Sequence, residues 1–507
     1  MDSSEGPLPQ TRFVLRKTLE AGLPVVVVIN KIDRKDARPQ EVLNEIYDLF
    51  IDLDANEHQL EFPVLYAIGR AGVAMNNIDD EQKDLSPLFD AIVKYIPGPS
   101  YDPEQPFQML VADLDYSDYL GRLAVGRIMH GTVFAKEALA CIGEDGQAKP
   151  LRATKLQVYD GLQVVEVEKA LPGDIVVLAG IEDVTTGDTI CTRDNPRAMP
   201  RIRVDEPTVA MRFGINSSPL AGREGKIVQS RAIYDRLVKE TLRNVAVRVE
   251  NTADRDAFLV KGRGEFQMAI LIETMRREGY ELQVSPPHVL THEENGKTME
   301  PMERVVIDVP ETYQGNVMTA LGARKAILMN MQMMNNRSRL EFRMPSRGLF
   351  GYRSQFLTDT HGEGIMNTIF DGYEEWCGPI ATRSSGSLIS FDTGDAVTYG
   401  LFNAQQRGTL IVTAGEKVYE GEVVGYTPTG EDITVNVCKT KHLTNTRASG
   451  SDDALRLIPV TKFSLEGCLE FLAPDELLEV TPENLRIRKR ILDHDLRMKA
   501  TSKKSKG

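Results

Sequence analysis

The 507-residue sequence contains few cysteines and no long apolar run. Its five cysteines are scattered and form no Cys-x-x-Cys pair: Cys141, Cys191, Cys377, Cys438 and Cys468. An odd number without a motif argues against a disulfide framework and indicates a reducing cytosol. No apolar stretch approaches the roughly 18 residues of a membrane span, and Met1 leads into a polar segment. We therefore expect a cytoplasmic protein without a signal peptide.

A second absence concerns phosphate binding. The sequence nowhere contains Gly-x4-Gly-Lys-Ser/Thr, the loop whose backbone N–H groups and lysine hold the phosphates of a nucleotide. The acidic residue on a second strand that a nucleoside triphosphatase needs for Mg²⁺ is also lacking. We accordingly assign no catalytic residue and no metal ligand to this chain.

The length and the net charge of the chain restrict its domain number and its binding partners only broadly. The length predicts about three to five domains, each large enough for its own core. The formal net charge of -14 argues against indiscriminate nucleic-acid binding but leaves room for local basic surfaces.

One segment points to a specific ligand. The apolar run Val25–Ile29 predicts a strand buried on both faces of a parallel sheet, and Asn30, Lys31, Ile32 and Asp33 follow at its carboxyl end, where such sheets bind ligands. An aspartate accepts two hydrogen bonds from the N1 and N2 edge of guanine, an asparagine braces the loop, and a lysine stem covers the ring. Asn-Lys-x-Asp is the guanine-specificity motif of GTPases. The alternative is a polar turn that caps the following helix.

The surroundings of this strand predict an incomplete domain. Only 24 residues precede Val25, and the α/β pattern ends near Pro97, Gly98 and Pro99. We expect the base-reading half of a GTPase domain without its phosphate half. Val25–Ile29 should then expose apolar surface and an unpaired strand edge, and residues 1–99 should be loosely ordered.

The remaining sequence predicts a multidomain α/β + β fold. Short strands with regular glycines over residues 100–200 indicate a closed β-barrel. The order strand, helix, strand, strand, helix, strand occurs over residues 201–287 and again over 299–381, which predicts two ferredoxin-like split βαβ domains. Residues 382–507 form a strand-rich C-terminal block.

The C-terminal block carries two candidate RNA-binding surfaces. One is a long polar loop from Lys439 to Asp453, and the other is a basic tail that begins at Arg486. The alternatives are a surface loop without a partner and a solvated, partly disordered tail. The candidate residues are Lys439, Lys441, Asn445, Arg447, Ser449, Arg486, Arg488, Lys489 and Arg490.

Two other patterns favour ordinary packing. His288 and His292 have the spacing of a helical zinc pair, but Pro286 and Pro287 precede them and no third ligand is evident. The methionines at 329, 331, 333 and 334 suit a soft binding patch, yet alternate ones would line a sheet face, and core packing is the favoured interpretation.

The order of these parts resembles the translational GTPases and, among them, the BipA/TypA family. The similarity runs from Asp2 to about Lys499. An elongation factor G would need a further domain between Ser285 and Val305, where there is no room for one. The most specific motifs are Ser4-Glu5-Gly6-Pro7, Gly262-Arg263-Gly264-Glu265, Pro345-Ser346-Arg347-Gly348-Leu349, Arg447-Ala448-Ser449-Gly450 and Arg486-Ile487-Arg488-Lys489-Arg490.

The resemblance implies the following organisation. Residues 1–99 are the C-terminal part of a GTPase domain, 100–200 a barrel like translation-factor domain II, and 201–287 a domain III-like module. Residues 299–381 are similar to domain V of elongation factor G, and 382–507 form the family-specific C-terminal domain. The loop that backs the guanine, usually Ser-Ala, reads Ala67, Ile68 and Gly69 here.

The same resemblance implies function. Its members use GTP and GDP with Mg²⁺, assemble the large ribosomal subunit and serve stress and cold adaptation. The resemblance implies a monomer whose partners are the ribosome, large-subunit rRNA and an A-site tRNA. The Lys439–Asp453 loop would approach the acceptor end of that tRNA. One interpretation of the missing phosphate half is that Met1 is a valine GTG codon read as a start, in a truncated gene model or a genuine fragment. The alternatives are a nucleotide-independent ribosome-binding protein and an unrelated enzyme with a chance Asn-Lys-x-Asp.

The missing phosphate loop generates the first prediction. Most nucleotide affinity comes from phosphates, so base contacts alone should leave millimolar binding at best, on the order of -4 kcal/mol. The chain as given should not hydrolyse GTP. Calorimetry and a phosphate-release assay test this, and micromolar GTP binding or phosphate release above background would contradict it.

Overall fold

The structure is a computed structural model that describes residues 1–102, 105–117, 119–180, 184–202, 206–334, 336–380, 383, 385–440 and 456–504. The chain divides into two units. The first comprises Met1–Tyr101, Glu303–Met344 and Gln355–Ile369, and the second comprises Asp102–Met302, Pro345–Ser354 and Phe370–Gly507. No helix in the described ranges is both long and apolar enough to cross a membrane.

The first unit begins with a three-stranded sheet of order β1-β2-β3, in which β1 and β2 are parallel. Its strands are β1 (Val27–Asn30), β2 (Val64–Ile68) and β3 (Val73–Met75), and its helices are α1 (Pro9–Glu20), α2 (Pro39–Asp52), α3 (Glu57–Leu60) and α4 (Ser86–Tyr95). Proline in the first turn of α1, α2 and α4 suits a helix start, since its missing N–H has no intrahelical partner there. Ile29, Ile46 and Phe50 are fully buried in the core between helices and sheet.

The edge of β1 differs from the sequence-based expectation. Residues Met1–Ser3 run parallel to the end of β1, with Asn30 N donating to Met1 O at 2.8 Å and Ser3 N donating to Asn30 O at 2.9 Å. The expectation of an unpaired edge is therefore wrong at the carboxyl end of the strand. The expected apolar exposure of this strand is limited, because Val27 and Ile29 are buried. Val25, Val26 and Val28 are half-buried and line a groove of about 440 Å³.

The second unit begins with a β-rich module. Its eight-stranded sheet has the order β10-β9-β12-β5-β4-β13-β7-β8, and β6 pairs with β11. The strands are β4 (Gln108–Ser117), β5 (Gly121–His130), β6 (Val133–Phe134), β7 (Ala138–Ile142), β8 (Ala148–Arg152), β9 (Lys155–Asp160), β10 (Gln163–Glu166), β11 (Lys169–Ala170), β12 (Ile175–Ala179) and β13 (Thr189–Thr192). Met109, Ile128 and Leu178 are fully buried in its core. Closure of this sheet into a barrel stays a prediction.

The next module has the strand order β15-β16-β14-β17, which is the order of a split βαβ unit. Its elements are β14 (Val209–Gly214), α5 (Ser230–Arg243), β15 (Arg248–Asn251), β16 (Ala257–Gly262), α6 (Glu265–Arg277) and β17 (Leu282–Val284). The short strand β18 (His288–Val289) also pairs with β14. His288 and His292 lie on strands, so their spacing does not place them on one helix face.

The same arrangement recurs in a sheet of order β19-β20-β22-β21, with β23 beside β20. Its elements are β19 (His292–Glu294), β20 (Lys297–Pro310), α7 (Glu311–Ala323), β21 (Ile327–Met334), β22 (Arg337–Pro345), α8 (Tyr352–Asp359) and β23 (Ile365–Glu375), with a 3-10 turn at Ser346–Leu349. Along the chain, β20, β22 and β23 each begin in one unit and end in the other.

The methionines of β21 are not in the core. Met329, Met331 and Met333 are 62%, 45% and 50% exposed. The interpretation that they pack in a core is wrong, because the side chains on both faces of β21 are exposed over residues 327–333.

The C-terminal block contains two small sheets, of order β26-β28-β24-β29 and β25-β27. Its elements are β24 (Gly386–Ser390), β25 (Gly394–Asp395), α9 (Thr398–Ala404), β26 (Thr409–Leu410), β27 (Lys417–Val418), β28 (Val423–Thr427), β29 (Ile433–Val435), α10 (Leu465–Phe471), β30 (Glu476–Val480), β31 (Leu485–Lys489) and α11 (His494–Lys504).

The hairpin of β30 and β31 joins the sheet of the first split βαβ module. Strand β30 pairs antiparallel with β17, in the register Leu282 to Val480 and Val284 to Leu478. With β18, the sheet then has seven strands. Leu282, Val284, Leu478 and Ile487 are buried in one continuous core. The C-terminal block thus shares a sheet and a core with the module at residues 201–287.

An ionic cluster within the first unit centres on the buried Asp308 of β20. Its carboxylate accepts hydrogen bonds from Arg16 Nη2 at 2.8 Å and Arg337 Nε at 2.5 Å, and Arg12 Nε lies 3.8 Å away. Burial raises the pKa of Asp308, but the Arg16 hydrogen bond and the charges of Arg337 and Arg12 outweigh it and hold the pKa below its usual value. The cluster joins α1 to β20.

The second prediction follows from this cluster. Asp308→Ala leaves buried guanidinium groups without their carboxylate, so we expect the first unit to lose about 3–5 kcal/mol of unfolding free energy. Chemical denaturation measures this loss. The matched control is Asp36→Ala, which breaks the exposed pair with Arg34 and should cause a much smaller loss.

The cluster should also respond to acid. Because the pKa of Asp308 is lower in the folded chain than in the unfolded chain, its stabilisation is complete above the unfolded-state pKa. It is lost as the pH falls through the folded-state pKa. Equal losses for Asp308→Ala and Asp36→Ala would contradict the assignment.

Candidate functional site

The candidate guanine loop lies at the carboxyl ends of β1 and β2, where Asn30 is the register partner of Ala67. Asn30 Oδ1 accepts hydrogen bonds from Lys31 N and Gly69 N, both at 2.8 Å. Ile32 N also reaches Ala67 O, at 3.5 Å. The asparagine side chain therefore ties the loop after β1 to the loop after β2.

The second loop depends on a close approach at Gly69. A Cβ atom at this position would lie 3.1 Å from Asn30 Nδ2, a tighter contact than side chains normally make. Ala67 and Ile68 are buried, at 5% and 7% exposure. The side chains of Ala67 and Ile68 are thus occupied in packing, and the Gly69 N–H already serves Asn30.

Lys31 adopts a left-handed backbone conformation, with φ of 62°. Its ammonium group lies 2.7 Å from Asp2 Oδ2, and Arg34 Nη1 lies 3.7 Å from the same oxygen. The hydrogen bond from Lys31, followed by the Ser4 backbone N–H, holds the pKa of Asp2 well below its usual value. Asp2 therefore positions the lysine beside the loop.

Asp33, the carboxylate that would receive the guanine edge, is occupied by a cation. Arg70 Nη2 lies 2.9 Å from Asp33 Oδ2, and the two side chains are 83% and 22% exposed. This contact covers the carboxylate oxygen that the sequence analysis assigns to the guanine edge. Sequence reasoning missed Arg70, although a cation directly after Gly69 was a usable signal.

Two cations of the predicted basic tail, Arg486 and Lys489, are paired with carboxylates. Arg486 bonds to Glu224 and, at 3.1 Å, to Glu479. Lys489 is 2% exposed and its ammonium lies within 3.1 Å of carboxylate oxygens on Asp432, Asp475 and Glu476. The expectation that Arg486 and Lys489 bind RNA is wrong in this conformation, because carboxylates already neutralise both cations.

Arg488 and Arg490 differ from these two residues. Arg488 is also 2% exposed, but it donates to neutral oxygens, Ser217 Oγ at 2.8 Å and Gln283 Oε1. Arg490 is exposed and contacts Pro474 O at 3.4 Å. Arg490 is thus the accessible cation of the predicted group.

The second predicted surface is described only at its start. Lys439 is exposed, whereas Lys441, Asn445, Arg447 and Ser449 lie outside the described residues. Among the residues that are described, no group of three or more His, Cys, Asp or Glu is arranged to hold a metal ion.

Comparison with family models covers most of the chain. The TypA/BipA C-terminal domain matches residues 385–494, and the elongation factor G C-terminus matches 297–384. The elongation factor Tu GTP binding domain matches 1–98, and elongation factor Tu domain 2 matches 121–191.

Comparison with individual proteins finds extensive similarity to large ribosomal subunit assembly factors BipA. The chain is 47% identical to that of Synechocystis sp. over 96% of this chain and 82% of the relative. It is 47% identical to that of Bacillus subtilis and 46% identical to that of Escherichia coli K12, each over 99% of this chain and 83% of the relative.

The Asp33–Arg70 contact generates the third prediction. Arg70→Ala frees the carboxylate, so guanosine should bind roughly 2- to 5-fold more tightly, in keeping with the small worth of an exposed ion pair. Adenosine binding should not change. Saturation-transfer NMR with the two nucleosides measures both effects. Lys94→Ala, which removes another exposed cation of the same unit, is the control. A guanosine gain equal in both variants would rule out a specific role for Arg70.

Proposed function

The chain belongs to the TypA/BipA family of translational GTPases, and from this premise we propose that it binds the ribosome and acts in large-subunit assembly. The observation that carries the proposal is 46–47% identity over 96–99% of the chain to proteins named for that role. The C-terminal match at 385–494 supports the family-specific part. Co-sedimentation with ribosomal subunits, followed by subunit profiles of cells lacking the gene, tests the proposal.

In this proposal the guanine loop binds the base of the nucleotide. Asn30, Lys31, Ile32 and Asp33, backed by Ala67, Ile68 and Gly69, would hold the guanine of GTP or GDP. Mg²⁺ would accompany the phosphates, whose Gly-x4-Gly-Lys-Ser/Thr loop is not in this sequence. Nucleotide would order the protein for docking on the ribosome, and hydrolysis would release it.

A second candidate function is nucleotide-independent binding to the ribosome or its rRNA. Two observations favour it for the chain as given: the sequence contains no phosphate loop, and Asp33 is engaged by Arg70. Co-sedimentation with and without GTP separates the two functions. Binding that GTP strengthens favours the first, and binding that is unaffected favours the second.

We propose that RNA is contacted mainly from the C-terminal block. Lys439, Lys441 and Arg447 would bind phosphates, while Asn445 and Ser449 would meet sugar or base edges of large-subunit rRNA or an A-site tRNA. Exposed Arg490 provides a further cation. The protein would act as a monomer in the cytoplasm, where ribosomes assemble, during stress and cold adaptation.

The fourth prediction concerns this RNA contact. Replacing Lys439, Lys441 and Arg447 by Ala should weaken ribosome binding. The slope of the logarithm of the binding constant against the logarithm of the salt concentration should decrease by up to the amount expected for about three charges. The melting temperature should change little. The control replaces three other exposed cations, Lys83, Lys94 and Arg231, by Ala. Co-sedimentation over a range of salt that is unchanged, or changed equally by the control, would move the RNA contact elsewhere.

A further inference from the structure

The face of the seven-stranded sheet opposite its buried core carries a cleft of about 220 Å³. The cleft lies where β14 and β17 meet the hairpin of β30 and β31. Arg212, Asp254, Gln283, Arg488 and Arg490 are among its lining residues. None of its lining residues belongs to the guanine loop.

Strand alternation explains why cations gather on this face. Phe213, Val284 and Ile487 are buried on the core side. Because successive side chains of a strand point to opposite faces, their neighbours Arg212, Gln283 and Arg488 lie on the other side. The register pairs Arg488 with Leu477 and Gln283 with Glu479, and the Ser285 backbone N–H donates to Arg212 O at 3.0 Å. Arg488 reaches Gln283 diagonally, through the hydrogen bond from its Nη2 to Gln283 Oε1.

Arg488, in this cleft, is a buried cation without a carboxylate in direct contact. Among the described residues no carboxylate lies within 4 Å of its guanidinium, and the charge of Glu479 acts on it from a greater distance. Its Nη2 donates to Ser217 and Gln283, its Nη1 donates to Lys489 O at 3.4 Å, and its Nε has no hydrogen-bond partner. By contrast, carboxylates neutralise the nearby cations Arg486 and Lys489 of the same strand. A buried charge is costly unless it is paired, so Arg488 is suited to an anion supplied from outside.

The rim of the cleft is also positive. Arg212, with a side chain 46% exposed, lies 3.4 Å from Asp254, whose side chain is 58% exposed. Exposed Arg490 has no carboxylate partner in the described ranges and contacts only the Pro474 carbonyl oxygen. Three guanidinium groups and one carboxylate thus line the cleft. Guanidinium groups present several N–H donors to the oxygens of a phosphate.

We propose that the cleft formed by Arg212, Arg488 and Arg490 binds one phosphate group. Arg488 lies at its base, and Arg212 and Arg490 lie at its rim. The phosphate belongs either to the backbone of an RNA or to a small phosphorylated ligand, and both present the same chemistry to the cleft. This inference goes beyond the proposed function, because it requires neither ribosome nor guanine binding.

The test is calorimetry of the full chain with inorganic phosphate at constant ionic strength. We expect one saturable site, weakened roughly 3- to 10-fold by Arg490→Ala or Arg212→Ala through loss of a charged hydrogen bond. Asp254→Asn should strengthen binding about twofold or more, because it removes the carboxylate that competes for Arg212. Arg231→Ala, which removes an exposed cation from α5, should have no effect.

Further variants and a second probe complete the experiment. Arg488→Gln should abolish binding, and its melting curve shows whether the protein remains folded; the rim variants test the cleft independently of that result. An eight-residue oligouridylate without terminal phosphate that competes with inorganic phosphate identifies an RNA backbone as the ligand, and its failure to compete identifies a small phosphate. The proposal is overturned if neither probe binds in a way that depends on Arg490 and Asp254, or if Arg231→Ala weakens binding equally.

Discussion

The pairing of β30 with β17 is the interaction that joins the C-terminal block to the module at residues 201–287. A split βαβ sheet leaves β17 with free backbone donors and acceptors on its outer side, and the hairpin satisfies them. The same pairing brings Leu478 and Ile487 onto the core of the module at residues 201–287. Without it, the two apolar surfaces would face water and the C-terminal block would lose its anchor.

This pairing also determines which partners the nearby charged side chains contact. Arg486 meets Glu224, and Asn216 bridges Glu281 and Glu479, only because the hairpin lies against residues 216–224. Burial raises the pKa of Glu422 well above its usual value, although the charge of Arg486 acts to lower it. Arg486 and Lys489 have carboxylate partners within 4 Å. Arg488 has no such partner among the described residues and therefore stands out on physical grounds.

The guanine loop shows a different balance between local and distant effects. Its backbone course follows from the carboxyl end of β1, the left-handed Lys31 and the close approach of Gly69 to Asn30. The conformation of Lys31 is local, whereas the approach of Gly69 to Asn30 follows from the parallel pairing of β1 with β2. Whether Asp33 is free to bind a base is decided by Arg70, which follows the second strand and reaches across to it.

Sequence alone determined the parts that rest on local periodicity. The β-branched run predicts β1, the alternating patterns predict the strands of both split βαβ modules, and the motifs identify the family. Only the tertiary structure decided that the C-terminal hairpin extends the sheet of β17, that Met329 is exposed, and that Lys489 is buried among carboxylates. The density of Lys and Arg in a segment does not reveal its burial. Burial depends on partners far away in the chain, whose approach is set by packing and backbone pairing rather than by neighbouring residues.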